Sequence, residues 1–258
     1  MYDSILVKKE GQLAYISINL PDVRNRLSKE TVGEIINALE GLKSDAEVGC
    51  IVFTGEGDKA FAAGADIKQL NNREPLDVLK SGGMQEAYDY IEAYEKPTIA
   101  MINGLALGGG CELALASDIR VMADHAKIGL PELNLSIIPG AGGTQRLTRI
   151  VGRGKALEMI LLGKFISAEE AKTCGLVSEV VPLADLKAKV EEMAAQILAK
   201  GPLAVRLAKI AVQLGADTDL KTGQMIERLA QAVLFATDDK KEGTAAFIEK
   251  RKPEFTAK

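Results

Sequence analysis

The amino-acid sequence changes its hydrophobic period partway along, and that change limits the folds open to it more than any other feature. Up to about residue 140, short β-branched or apolar runs alternate with stretches of helical spacing; beyond that point nearly all apolar residues recur at helical intervals. Ser4–Lys9 and Leu13–Asn19 flank Glu10-Gly11-Gln12 and predict an N-terminal hairpin. Between Ser28 and Lys43, the residues Val32, Ile35, Ile36, Leu39 and Leu42 fall on one helical face. Cys50–Thr54 and Pro97–Ile102 read as buried strands. The second ends at Asn103-Gly104 and leads through Gly108-Gly109-Gly110 into the apolar helix Cys111–Ala116. Ile119–Met122 and Ala126–Ile128 predict further short strands, which completes an α/β pattern. After residue 140, Ser167-Ala168-Glu169-Glu170 fits a capping box. Leu186, Val190, Met193 and Ile197 then mark an amphipathic helix, and Gly201-Pro202 starts another. Thr218–Phe235 and Lys240–Ile248 continue the helical reading. The expected division is an α/β core over residues 1–195 and a helical region over 196–258.

Composition narrows the function classes. The chain has 258 residues, 47% apolar and 26% charged, which suits an ordinary globular protein. Lys plus Arg number 32 against 36 Asp plus Glu, and aromatics reach only 4% with no Trp, so nucleic-acid binding is not expected. Cys50, Cys111 and Cys174 form no Cys-x-x-Cys pair and are odd in number, against a disulfide framework or thiolate zinc site. With His125 the sole histidine, a histidine-rich metal site is excluded, and acid–base chemistry falls mainly to carboxylates, Lys or Tyr. His125 itself sits in a polar connection and reads as a surface residue. No apolar run approaches the ~20 residues that span a bilayer. Met1-Tyr2-Asp3-Ser4 shows no secretory pattern, so a cytoplasmic location is expected.

Four segments could carry chemistry. Gly55-Glu56-Gly57-Asp58-Lys59-Ala60 imitates a dinucleotide fingerprint, but Gly64 interrupts the helix that should follow, and Asp66 comes too early for the ribose acid. The neighbouring Phe61-Ala62-Ala63-Gly64-Ala65-Asp66-Ile67 is either a small-residue turn into a helix or a place where backbone amides meet a negative group. Gly108-Gly109-Gly110 exposes amides at a helix start, and such amides can stabilise an oxyanion. Glu112 in that first turn either complements the helix dipole or serves a purpose that justifies its apolar surroundings. Glu132 is the only ionisable residue in the apolar segment Gly129–Gly140. It is either a loop residue at the surface or a carboxyl whose pKa is raised by desolvation, as a general acid requires. Pro139-Gly140-Ala141-Gly142-Gly143-Thr144-Gln145-Arg146 reads as a flexible loop before a helix.

Taken together, Ala62-Ala63-Gly64-Ala65-Asp66-Ile67, Asn103 through Leu113, Pro131-Glu132 and Ile138 through Arg146 resemble the crotonase (enoyl-CoA hydratase) superfamily in order and spacing. Ala236-Thr237-Asp238-Asp239 and Ala246-Phe247-Ile248-Glu249-Lys250-Arg251 look like that family's tail, so the resemblance spans essentially the whole chain. It implies an α/β spiral of ββα repeats with a C-terminal helical region for trimer contacts, and trimers that pair into hexamers. It also implies an acyl-CoA thioester substrate whose oxygen meets the amides of Ala65 and Gly109. CoA would lie along Arg24, Arg26 and Leu27 and along Ala63, Asp66 and Ile67, with Lys68 placed for phosphate. Phe247 and Lys250 match tail positions that can touch CoA, sometimes across a subunit boundary. Glu112 would activate the water, and Glu132 would deliver the proton to C2. No metal or redox cofactor is expected, because CoA enters as part of the substrate.

Glutamates at both positions favour hydration over isomerisation, which in this family generally keeps one catalytic carboxylate. The other readings are an isomerase, a hydrolase, an RNA-binding relative and a non-catalytic scaffold. Two positions depart from the common pattern: Arg26 stands where many members have Ala, and Leu130 where many hydratases have Gln. Arg26 either touches CoA phosphates or faces solvent, with solvent favoured. The acyl pocket is expected to be walled by Leu70–Tyr94 and by helices near Met159–Leu162.

Overall fold

The computed structural model describes residues 2–258, which form two compact units. One runs to Tyr94 and resumes over Thr98–Glu191; the other comprises Glu95–Pro97 and Glu192–Lys258.

In the first unit, β1 (Ile5–Glu10) and β2 (Leu13–Ile18) form the expected hairpin, turning at Gly11 with φ +59°. Ser28 caps α1 (Lys29–Lys43) by accepting from the Thr31 amide. There follow β3 (Cys50–Gly55), β4 (Ala60–Ala62), α2 (Ile67–Asn71) and α3 (Met84–Glu92). Next come β5 (Thr98–Ile102), β6 (Leu105–Leu107), α4 (Gly109–Ala116), β7 (Ile119–Ala123) and β8 (Lys127–Gly129). The remainder is α5 (Gly143–Leu161), β9 (Phe165–Ser167), α6 (Ala168–Thr173), β10 (Glu179–Val181) and α7 (Leu183–Leu198), whose last turns enter the second unit.

From β3 to β8, successive strands alternate between two sheets. β1-β2-β3-β5-β7-β10 make one, parallel except at the hairpin, and β4-β6-β8-β9 make the other, parallel as far as β8. Each ββα repeat therefore adds one strand to each sheet, and the chain advances as a spiral. Every residue of β3 is buried, as expected of a parallel strand covered on both faces.

The corners between sheets are held by asparagine side chains that stand in for missing ladder partners. Asn103 donates to the carbonyls of Gly55 and Gly57, each at 2.7 Å. Buried Asn25 donates to the carbonyls of Glu56 (3.0 Å) and Ala60 (2.7 Å) and accepts from the Leu20 amide at 3.0 Å. Without them the carbonyls of Gly55 and Ala60 would be buried unpaired, at ~1–3 kcal/mol each.

Two local expectations need correction. Strand structure does not stop near residue 140, since β9 and β10 extend one sheet each. Ser167 caps α6 by accepting from the Glu170 amide, but the Glu170 carboxylate binds Lys155 and Lys164 instead of completing the capping box.

The second unit is helical: α8 (Pro202–Ala216), α9 (Leu220–Phe235) and α10 (Asp238–Glu249). Pro202 opens α8, Asp219 caps α9 through the amides of Lys221 and Thr222, and Thr237 caps α10 through Lys240. The tail folds back so that the buried Asp239 carboxylate accepts from the amides of Thr256 and Ala257. Among the described residues, no helix is long and apolar enough to cross a membrane.

Candidate active site

Three parallel strands of the smaller sheet, β4, β6 and β8, lie side by side, and each delivers one candidate residue just past its C-terminal end. Ala65 follows β4, Gly109 follows β6 and Glu132 follows β8. Ligand sites at the carboxyl ends of parallel strands are a general property of such sheets. Glycines bring the first two turns together. A Cβ at Gly64, where φ is +94°, would stand 3.1 Å from the Leu107 carbonyl oxygen and 4.0 Å from the Gly108 Cα. A Cβ at Gly108 (φ +54°) would lie 3.0 Å from Glu132 Oε1.

Both candidate amides are unspent. The carbonyl of Gly64 accepts from Leu27 and the amide of Asp66 donates to Leu27, which turns the Ala65 amide away from that partner. Gly109 is the first residue of α4, so its amide has no intrahelical acceptor.

Glu112 lies in the first turn of α4 and is 3% exposed. Its Oε1 accepts from the Ala141 amide at 2.7 Å and the Gly143 amide at 2.9 Å. Burial raises its pKa, and those amides together with the Arg146 charge pull it back. The loop giving the amides is itself tied down. Arg146 donates to the Ala141 carbonyl at 2.9 Å, and its guanidinium pairs with Asp89 at 2.5 Å and Glu92 at 2.7 Å on α3. These partners of Glu112 went unread in the sequence. Gly142-Gly143 was the available signal, because a Cβ at Gly143 would come within 2.8 Å of Glu112 Oε1.

Glu132 opens a short 3-10 turn after β8. Its Oε2 is buried and has no hydrogen-bond partner among the described residues. Burial pushes its carboxyl up to about 7, and the charge of Glu112 nearby adds to the rise. A stability prediction follows. Glu132 holds its proton more tightly folded than unfolded, where its ordinary value is 4.5. The folded state therefore keeps protons that the unfolded state has lost as pH rises from about 4.5 to 7, and stability falls across that window. Glu132→Gln should leave the protein more stable than wild type at pH 8, by ~1–2 kcal/mol after allowing for solvent that still reaches the side chain. The gain should vanish near pH 4. Thermal unfolding of both proteins at the two pH values checks this, and a pH-independent difference would refute it.

The Arg24 carbonyl accepts from the Ala63 amide at 3.0 Å, which places the two segments against each other. Arg26 pairs with Asp66 at 3.3 Å, and Asp66 also caps α2 through the Lys68 amide. Ile67 and Lys68 are exposed on α2, while Phe247 and Lys250 are exposed at the end of α10 in the second unit. A cavity of about 830 Å³ opens beside Ala65, Leu27 and Met84, between α1, α2 and α3. Its lining includes Leu70 and Tyr90, together with Val32, Gly33 and Ile36 of α1. In the Met159–Leu162 region, Met159 belongs to the core and Leu161 and Leu162 are exposed.

A constellation of one buried and one half-buried carboxyl, the second with a spare buried oxygen and near-neutral pKa, beside two unspent amides and an open cavity can move protons at a carbon next to a developing oxyanion. Among the described residues, no group of His, Cys, Asp or Glu could hold a metal ion.

The model of the enoyl-CoA hydratase/isomerase family matches residues 8–258. A crotonyl-CoA hydratase of Syntrophomonas wolfei is 46% identical over 258 residues, covering 100% of this chain and 99% of the relative. A short-chain-enoyl-CoA hydratase of Clostridium acetobutylicum is 40% identical over 253 residues, covering 98% and 97%. Among solved structures, an enoyl-CoA hydratase from Bacillus anthracis superposes with a TM-score of 0.94 at 42% identity, covering 99% of this chain and 100% of the other.

Proposed function

This chain belongs to the enoyl-CoA hydratase/isomerase family and is an enoyl-CoA hydratase, and we propose that it adds water reversibly and syn to a trans-2-enoyl-CoA through Glu112, Glu132 and the amides of Ala65 and Gly109. The observation that carries the mechanism is the spare, buried Glu132 Oε2, on a carboxyl poised near neutrality beside a second glutamate whose Oε1 is already held. A carboxyl in that state can give a proton at pH 7; one fixed by two amides is oriented to receive one.

In the reaction the water oxygen attacks C3 and its proton passes to Glu112. The C2–C3 π electrons move toward the thioester, and charge gathers on its oxygen. The amides of Ala65 and Gly109 stabilise that charge without reorganising. Glu132 then protonates C2, giving the 3-hydroxyacyl-CoA, and the two carboxyls regain their starting states by exchange with water. Isomerisation needs one carboxyl to shuttle one proton and leaves the second buried glutamate without a role.

CoA itself is assigned to the Arg24–Leu27 segment and to Ala63, Asp66, Ile67 and Lys68; Phe247 and Lys250 are tail positions assigned a contact to CoA that can cross a subunit boundary. The Arg26–Asp66 pair supports a backbone rather than a charge contribution from Arg26. No cofactor is required beyond the CoA carried by the substrate. Exposed Leu229, Val233 and Phe235 on α9 support a homo-oligomer, a trimer or a dimer of trimers, to be tested by light scattering. The setting that fits is cytoplasmic fatty-acid metabolism, through β-oxidation.

Hydration of crotonyl-CoA in ²H₂O tests the mechanism. The expected product carries one deuterium at C2, on the same face as the new hydroxyl. Failure of folded protein to turn over crotonyl-CoA or longer 2-enoyl thioesters would overturn the reading.

A further inference from the structure

Three successive glycines, Gly108 to Gly110, carry the proposed oxyanion donor, and no side chain of their own can fix their backbone. Each is fixed from outside. The Gly108 amide donates to the Gly129 carbonyl at 3.0 Å. Gly110 is pressed against β4, since a Cβ there would lie 2.0 Å from the Ala62 carbonyl oxygen. Between them, the Gly109 carbonyl accepts from the Tyr88 hydroxyl at 2.8 Å. Tyr88 is fully buried, and the position of a Gly109 Cβ is 2.9 Å from the sulfur of Met84, one turn earlier on the same helix α3. That helix also carries Asp89 and Glu92, the partners of Arg146, which steadies the loop holding Glu112.

We propose that Tyr88 is a positioning residue: its hydroxyl sets the orientation of Gly109 and so aims the Gly109 amide at the thioester oxygen. The proposal rests on the oxyanion role given above to Gly109. A residue at the start of a glycine-rich helix can rotate its peptide at little energetic cost, and an amide aimed off line loses most of its value to a developing charge. The Tyr88 bond limits that freedom from one side by holding the Gly109–Gly110 peptide, while the Glu112 amide, donating to the Gly108 carbonyl at 2.9 Å, holds the adjoining peptide that carries the Gly109 amide. Through α3, the aim of the amide and the placement of Glu112 are referred to one rigid element.

The test compares Tyr88→Phe with Tyr94→Phe. Tyr94 is also buried, and its hydroxyl donates to the Leu39 carbonyl at 2.7 Å, so its loss removes an equivalent bond away from the glycines. Both variants should lose similar thermal stability. Only Tyr88→Phe should lower kcat for crotonyl-CoA, by about 10- to 50-fold with KM within about twofold, because the lost interaction matters in the transition state. Its affinity for acetoacetyl-CoA, which can bind as an enolate, should fall in the same proportion, while affinity for saturated butyryl-CoA stays unchanged. If wild type binds the enolate former strongly and Tyr88→Phe matches it in kcat and in that affinity, Tyr88 is structural only and the proposal fails. If wild type hydrates crotonyl-CoA but shows no preference for the enolate former, the oxyanion role of Gly109 fails and takes the proposal with it.

Discussion

Glu132→Gln is expected to reduce kcat for hydration of crotonyl-CoA by about 10³-fold, with KM nearly unchanged. The amide is nearly isosteric with the carboxyl, so substrate should still bind. What it lacks is a transferable proton at the position of Oε2, the buried oxygen that no protein group engages. Glu112→Gln should fall by a similar factor for the opposite reason. Its oxygen can still accept from Ala141 and Gly143, but the neutral side chain cannot take the proton of the attacking water. Loss of the conjugated thioester's ultraviolet absorbance reports both rates. A pH profile adds a sign: kcat/KM in wild type should decline above about pH 7, as Glu132 loses the proton it must deliver. Retention of more than about a tenth of wild-type turnover by either variant would remove that glutamate from the mechanism.

The second large effect is expected at Gly110. A Cβ there would sit 2.0 Å from the Ala62 carbonyl oxygen and 2.7 Å from its carbon, both backbone atoms of β4. Neither can swing aside as a side-chain tip could, so α4 must lift away from the sheet. Gly110→Ala should therefore cost ~3 kcal/mol or more and lower Tm by roughly 6–12 °C. Because α4 carries both Gly109 and Glu112, activity should collapse even at temperatures where the variant is folded. Gly154→Ala is the contrast. Nothing lies within 4 Å of a Cβ at that position in α5, and Ala favours a helix over Gly by ~0.5–1 kcal/mol. If Gly110→Ala melts with wild type, the close approach of α4 to β4 is not as described.

These cases also show what the sequence could and could not reveal. β3 and β5 announce themselves as buried β-branched runs and α1 as an apolar face, since those signals are local. The three-residue strands β4 and β6 do not: Ala60–Ala62 and Leu105–Leu107 are too short for a period and become strands by pairing with each other and, for β6, with β8. Glu112 and Glu132 were legible as carboxyls out of place among apolar residues. Their handling was not. The amides on Glu112 come from residues 29 and 31 positions away, and Tyr88 reaches Gly109 across 21. In sequence, Tyr88 is one more aromatic on a helix face, and Arg146 one more cation.

Neighbouring strands in a sheet stand about 4.8 Å apart, and that interval has a meaning here beyond stability. Ala65, Gly109 and Glu132 follow the ends of three adjacent strands, so the distances between the proposed oxyanion amides and the proposed proton donor are counted in strand widths. The hydrogen-bond ladder is the ruler against which a thioester's oxygen and its next carbon are measured. The cavity beside Ala65, which we propose receives the acyl tail, is walled by helices, outside that ruler. Substitutions that reshape the tail's room can therefore accumulate without recalibrating the chemistry, and a lineage built on this spiral can exchange substrates while its unit of length stays the same.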